Sequence, residues 1–98
     1  MVVAIVTIGL RLPACTSLKD KRGVTRRLIS RLRRDLNVSV AEVGGQDTWQ
    51  RCDLGVAIAA GSEVGARKVA QQVEKIVTRE HDVEPVHIEV EITAPQLL

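Results

Sequence analysis

Aromatic side chains are nearly absent from this chain, which contains Trp49 but no Phe and no Tyr. The core must therefore be filled by Val, Leu, Ile and Ala, and a function that needs several stacked aromatic side chains is excluded. Sheets that recognise RNA stack bases on exposed aromatic residues. Base-specific readout of RNA by a sheet of this chain is accordingly not expected.

Cysteines and long apolar runs are also scarce. Cys15 and Cys52 stand far apart with no C-x-x-C pair, and we expect reduced, buried thiols that act as small hydrophobes rather than nucleophiles. No apolar run reaches the roughly 18 residues that a membrane span needs. The apolar start at residues 1–12 lacks a basic segment and a cleavage pattern. The sequence thus predicts a soluble cytoplasmic protein without a signal peptide.

The overall composition is that of an ordinary globular protein, with 45% hydrophobic and 27% charged residues in a chain of 98. This balance excludes intrinsic disorder and the fibrous classes. A chain of this length buries one hydrophobic core and is too short for two. We therefore predict one domain over residues 1–98.

Acidic residues are nearly missing from the first third of the chain. Residues 1–34 contain nine Lys or Arg against Asp20, whereas residues 35–98 contain five basic and eleven acidic residues. The small net charge of +2 conceals this asymmetry. A segment with so many cations favours an anionic partner.

Apolar spacing predicts the first strand and the first helix. Residues 2–12 are rich in β-branched side chains and are followed by Pro13, which predicts a strand that ends there. Ser17 followed by Asp20 predicts a capping box, in which the Asp20 carboxylate reaches back, and a helix over residues 18–35. The predicted apolar face of this helix consists of Leu18, Val24, Leu28, Ile29, Leu32 and Leu36.

The second half predicts three more strands and a helix. Asn37 is expected to leave the first helix in a left-handed conformation before a strand over residues 38–43. A hairpin leads to a strand over residues 51–60, a helix follows over 63–80, and an alternating strand over 86–93 ends the pattern. The order βαββαβ predicts a ferredoxin-like α+β sandwich, with a four-stranded antiparallel sheet and both helices on one face.

Three segments resemble the motifs of the YlxP family, a group of small bacterial proteins of unknown function. They are SLKDKRGVTRRLISRLR at 17–33, NVSVAEVG at 37–44 and QDTWQR at 46–51. The resemblance implies a ferredoxin-like fold, a cytoplasmic location, and genes that often lie beside those for translation initiation and ribosome-binding factors. That setting implies association with RNA or a ribosomal subunit.

The exposed side of the predicted first helix is the main candidate for a binding surface. Like charges at i,i+4 repel one another, whereas a polyphosphate partner would attract them and release counterions. Lys21 lies on the apolar side, from which its long stem is expected to reach water. The candidate RNA- or phosphate-binding residues are Lys19, Lys21, Arg22, Arg26, Arg27, Arg31, Arg33 and Arg34.

Three alternatives compete with this interpretation. The basic face would be merely solubilising if acids elsewhere neutralised it, and the acids considered are Glu42, Asp47, Glu89 and Glu91. The start of the helix, Ser17 to Arg22, would bind a small anionic ligand in a homo-oligomeric regulatory domain. A small enzyme acting on phosphate esters is the third alternative.

A loop and an open sheet face are further candidates. Trp49 in a loop that also contains Gln46, Asp47 and Arg51 would form a recognition site, although packing of Trp49 over the edge of the core is favoured. The open face of the sheet combines small and apolar side chains and is a candidate homodimer interface. Its residues are Val3, Ile5, Thr7, Gly55, Ala57 and Ala59.

Catalysis, metal binding and cofactors are not expected. His81 and His87 belong to no metal-ligand spacing. Acylphosphatases share the predicted fold, but their Gly-rich, Arg-containing phosphate loop is missing from RLPACTSLK at 11–19. We therefore expect a non-catalytic binding module with no metal and no cofactor.

Overall fold

The computed structural model describes residues 1–95. Its six elements, in chain order, are β1 (Val2–Arg11), α1 (Leu18–Asp35), β2 (Ser39–Gly44), β3 (Arg51–Ala60), α2 (Glu63–Arg79) and β4 (Glu84–Thr93). The predicted βαββαβ order is confirmed, and each bound lies within two residues of its predicted position.

The four strands form one antiparallel sheet in the order β2-β3-β1-β4, which confirms the ferredoxin-like fold. The central strand β1 pairs with β3 from Val2↔Ala60 to Arg11↔Arg51. Because side chains alternate along a strand, one face of the sheet collects the core residues, which are fully or almost fully buried. The sheet residues of the core are Ala4, Val6, Ile8, Leu10, Val40, Cys52, Leu54, Val56 and Ile58.

Both helices contribute a buried face to this core. The buried residues of α2 are Ala66, Ala70, Val73 and Val77, as its apolar spacing predicts. Those of α1 are Lys21, Thr25, Leu28 and Leu32, at i, i+4, i+7 and i+11. The predicted apolar face was thus only partly right, because Leu18 is 37% exposed while two polar residues occupy the centre of the buried side.

The connection from α1 to β2 differs from its prediction. Leu36 already adopts an extended conformation, with φ −133° and ψ 150°, and its N–H donates to Leu32 O. Within residues 1–95 no residue other than glycine has a positive φ. The prediction of a left-handed conformation at Asn37 was therefore wrong. A left-handed residue is not needed at this point, because the extended conformation of Leu36 already directs the chain towards β2. Positive φ occurs instead at Gly45, at +79°, where a Cβ would lie 3.0 Å from Arg51 O.

The edge strand β4 is more exposed than its alternating sequence predicts. The pairing with β1 shifts in register, from Gly9↔His87 to Leu10↔Pro85, and leaves Val86 without a partner residue. Val86 is 51% exposed and Val90 is 38% exposed. A bulge of this kind bends an edge strand and re-aims its side chains. The apolar row of β4 is therefore only half covered by α2.

Candidate nucleic-acid interface

One flank of α1 forms ion pairs with acids from distant parts of the chain. Arg27 pairs with Asp82, in the connection between α2 and β4. Arg31 lies 3.4 Å from a carboxylate oxygen of Glu80 and 3.8 Å from one of Asp35. None of these three acids was among those considered from the sequence. Arg27 and Asp82 are both solvent-accessible, and exposed pairs of this type stabilise a fold by only about 0–1 kcal/mol, so Arg27 remains able to exchange partners. Glu80 is only 14% exposed, and its pair with Arg31 is partly buried.

The last turn of α1 carries two arginines with different roles. Arg33 Nη2 donates a hydrogen bond of 2.8 Å to Val40 O and so ties the helix to β2. Arg34 Nε lies 3.1 Å from Asp35 Oδ1, but the Arg34 side chain is 74% exposed. Arg34 is therefore the more accessible of the two for an external anion.

Three cations of α1 have no anionic partner within residues 1–95. Lys19, Arg22 and Arg26 are exposed and lie at i, i+3 and i+7, which places them on one side of the helix. A rise of 1.5 Å per residue spreads their Cα atoms over about 10 Å. We call these three residues the basic stripe.

The basic stripe continues into a shallow cleft with a volume of about 450 Å³. Besides the arginines, Ser30 and Glu80 reach the cleft wall. Ser30 was not predicted as a site residue from the sequence. Its position four residues after Arg26 and four before Arg34 does, however, place it on the same side of α1 as these two arginines. Its hydroxyl adds a neutral donor among the charges. The lining residues are Arg26, Arg27, Ser30, Arg31, Arg34 and Glu80.

Lys21 does not belong to the accessible surface. It is 2% exposed, its Nζ lies 3.1 Å from Glu42 Oε1, and the same ammonium donates to Gly45 O. The expectation that its stem reaches water was wrong, because a carboxylate and a carbonyl within the fold already bind the ammonium. Lys21 thus fastens α1 to β2 and to the start of the β2–β3 connection.

The start of α1 uses its own polar groups. Ser17 Oγ accepts from Asp20 N at 3.1 Å, as the predicted cap requires. The Asp20 carboxylate accepts from Thr16 N at 3.0 Å and Thr16 Oγ1 at 2.9 Å. The predicted capping box would instead have used the backbone N–H of Ser17, one residue later. These bonds from Thr16 hold the pKa of the Asp20 carboxyl below its usual value. With Lys21 turned inward, this terminus offers less to a small anion than the sequence indicated.

The β2–β3 connection carries Trp49 at the surface. Trp49 is 47% exposed and lies outside the buried core cluster, so its favoured interpretation as core cover is not borne out. Gln46 and Asp47 line a cavity of about 340 Å³ together with Arg22 of the basic stripe. Arg51 is exposed, with its Nε 3.7 Å from Asp53. The connection therefore borders the first turns of α1.

The two thiols are buried, as predicted. Burial, together with the neighbouring Glu42 carboxylate, raises the pKa of Cys52 to about 12. Burial also raises the pKa of Cys15. Since the thiolate is the nucleophilic form, neither environment favours reaction. Across the part of the chain that the structure describes, no three His, Cys, Asp or Glu residues are grouped to hold a metal ion.

The open face of the sheet lies opposite the helices. Ile5 is 40% exposed and Val43 is 58% exposed, and Ala57 beside them is exposed as well. Glu89 and Glu91 pair with Thr7 and Ile5 and so share this face. These two acids consequently lie on the opposite side of the sheet from α1 and do not neutralise it.

Comparison with known proteins identifies the family. The family described as "Protein of unknown function (DUF503)" matches residues 3–90. The chain belongs to this family. It is similar to the "Uncharacterized protein YlxP" of Bacillus subtilis (strain 168), with 46% identity over 57 residues. That alignment covers 58% of this chain and 62% of the Bacillus protein, less than two thirds of its length. The predicted YlxP resemblance is confirmed.

The fold of this DUF503 chain is similar to two designed proteins. A de novo designed protein with a ferredoxin fold matches with a TM-score of 0.55 and 13% identity, over 100% of this chain and 88% of the design. The de novo designed protein Foldit4 matches with a TM-score of 0.52 and 16% identity, over 96% and 99% of the two chains. Such low identities support the fold alone. Neither α1 nor α2, the helices within residues 1–95, has the apolar length that a membrane crossing requires.

Proposed function

We propose that this protein is a non-catalytic cytoplasmic binding module that contacts RNA, alone or within a ribosomal subunit, through the basic face of α1. The observation that supports this proposal best is the basic stripe. Lys19, Arg22 and Arg26 are exposed on one side of the helix, without an anionic partner in residues 1–95. A polyphosphate supplies the counter-charge that the described fold does not place beside them.

The cleft next to the stripe supports the same partner. Arginine binds phosphate oxygens through a planar fork of N–H donors, and Arg26 and Arg34 stand at the two ends of a row with Ser30 between them. Glu80 in the cleft wall holds Arg31 in place. Contacts of this kind read the backbone and not the base sequence. We therefore expect binding with little sequence preference.

Co-sedimentation of the full chain with purified ribosomal subunits and with ribosomal RNA, across a salt series, tests the proposal. If about three to five cations contact phosphates, log affinity falls against log salt with a slope of about −2 to −4. Binding that is unaffected by salt, or no binding at low salt, would contradict it.

The open sheet face carries a separate prediction, a homodimer formed by β1 and β3. Ile5, Val43 and Ala57 give this face an exposed apolar centre, and such surfaces favour association with a partner. The substitution Ala57→Glu should weaken self-association and leave folding intact, because Ala57 lies on the face away from the core. Light scattering over a concentration series measures the effect, with Gln71→Glu on exposed α2 as the control. If the unmodified protein is a monomer at every concentration, the predicted homodimer is contradicted.

A further inference from the structure

We infer that Trp49 stacks on one unpaired base of an RNA whose backbone follows the basic stripe. The protein then prefers single-stranded or looped RNA over a fully paired duplex. This inference rests on the proposed function and adds to it the class of RNA that binds.

The first observation is where the chain places its one aromatic ring. The core cluster is built from Val, Leu, Ile, Ala and Cys, while Trp49, which has the largest apolar surface of any residue type present, is 47% exposed. An indole at the surface offers a flat apolar face and an N–H donor. Exposed rings of this kind are the platforms on which single-stranded nucleic acids stack their bases.

The second observation is that the ring lies next to the phosphate-binding side of α1. Asp47 lines the cavity that contains Arg22, and it also lines the neighbouring cavity of about 260 Å³ that contains Trp49. The two cavities share Asp47, so a strand that follows Lys19, Arg22 and Arg26 and continues past Asp47 can bring a base to the indole. A base that turns out of the strand there reaches the ring while its phosphate stays on the arginines.

The third observation is that the connection is held in place. Lys21 Nζ donates to Gly45 O at its start. Thr48 N donates to Gly45 O at 3.1 Å, Leu12 N donates to Gln50 O at 3.0 Å, and Gln50 Nε2 donates to Cys15 O at 3.3 Å. A platform fixed in this way loses little conformational entropy on binding.

The charge beside the ring decides which part of the RNA approaches it. The Asp47 carboxylate repels a phosphate from Trp49 but accepts hydrogen bonds from the amino groups of bases. The loop is therefore suited to a base, and the stripe to the backbone. Bases in a duplex are already stacked on one another, so an unpaired base is required.

The fluorescence of Trp49 gives a direct test, because the chain has no other Trp and no Tyr. The full chain is titrated at low salt with a single-stranded RNA of about a dozen nucleotides and with a duplex of the same length. Stacking of one base contributes about a five- to hundredfold gain in affinity. We expect quenching by the single strand, little change with the duplex, and a preference for the single strand within that range.

Two variants separate this inference from the proposed function. Both variants lack the Trp49 fluorophore, so their binding is measured by filter binding. Trp49→Leu should abolish the preference for the single strand and keep the salt slope, and Trp49→Phe should restore part of the preference. Val64→Ala removes exposed apolar surface on α2, where Val64 is 79% exposed, and should change nothing. Circular dichroism of each variant checks the fold.

The outcomes are distinguishable. If Trp49→Leu binds both RNAs as the unmodified protein does, the stacking inference is overturned and the proposed function stands. If the unmodified protein binds neither RNA, and binds another class of macromolecule or none, both are overturned. Equal quenching by single strand and duplex would also overturn the inference.

Discussion

Simultaneous substitution of Lys19, Arg22 and Arg26 by Gln is expected to reduce RNA affinity by roughly a hundredfold at about 0.1 M salt. Each phosphate contact to a single strand releases about 0.7 counterions, so three lost contacts remove about two units from the salt slope. Gln keeps a helix propensity close to that of Lys and Arg, and the three side chains are exposed. Filter binding across a salt series measures both quantities, and circular dichroism checks the fold.

The matched control removes three charges from the other helix. Lys68, Lys75 and Arg79 are exposed on α2, and their joint substitution by Gln gives the same net charge as the stripe variant. We expect a change in affinity of only a few-fold. Equal losses in the two variants would indicate a general charge effect, and no loss in the stripe variant would reject α1 as the binding surface.

The fold was predictable because its signals are local. The strand alternation, the Ser17 cap and the 3.6-residue period of α2 each depend on a few neighbouring residues, and all agree with one topology. The buried side of α1 was misjudged for a related reason. Lys21 was placed on the apolar side but was expected to reach water, and Thr25 was not assigned to that side, although the two residues stand at i−7 and i−3 from Leu28. The helical period, taken without regard to polarity, would have predicted the burial of both.

The candidate site was less predictable because its partners come from far along the chain. Arg27 and Asp82 are separated by 55 positions, and Arg31 and Glu80 by 49. Which acid reaches which arginine depends on how α1 lies beside the end of α2, and no periodicity in the sequence encodes that. The sequence therefore indicated a basic face, whereas the structure separates its paired flank from the stripe that has no such partner within residues 1–95.

The variant Lys21→Met is expected to destabilise the fold by about 3 kcal/mol. Met keeps the length of the buried stem but removes the charge, so Glu42 and the carbonyl of Gly45 lose the ammonium that binds them. Glu42 is 22% exposed, which places the cost at the lower end for a broken buried pair. In a domain of this size, the melting temperature should fall by about 12–20 °C. Thermal unfolding followed by circular dichroism measures this.

Two further variants test the physical reason. Lys19→Met changes an exposed lysine two residues before Lys21 in the same helix and should alter stability by no more than about 0.5 kcal/mol. The double variant Lys21→Met/Glu42→Leu leaves no unpaired charge and should recover most of the loss, because apolar replacements of a buried pair are often neutral. A single Lys21→Met variant as stable as the unmodified protein would contradict the assigned role.

The same pair connects stability to recognition. Lys21 binds the carbonyl of Gly45, the residue at which the connection to Trp49 begins, and it does not reach the surface. The double variant should therefore restore the melting temperature without restoring this tether, which leaves the Trp49 loop less ordered. We expect it to keep the salt slope of RNA binding, since the basic stripe is unchanged, and to lose part of the preference for single strands. An undiminished preference would show that other contacts, such as Gln50 to Cys15, suffice to hold the loop.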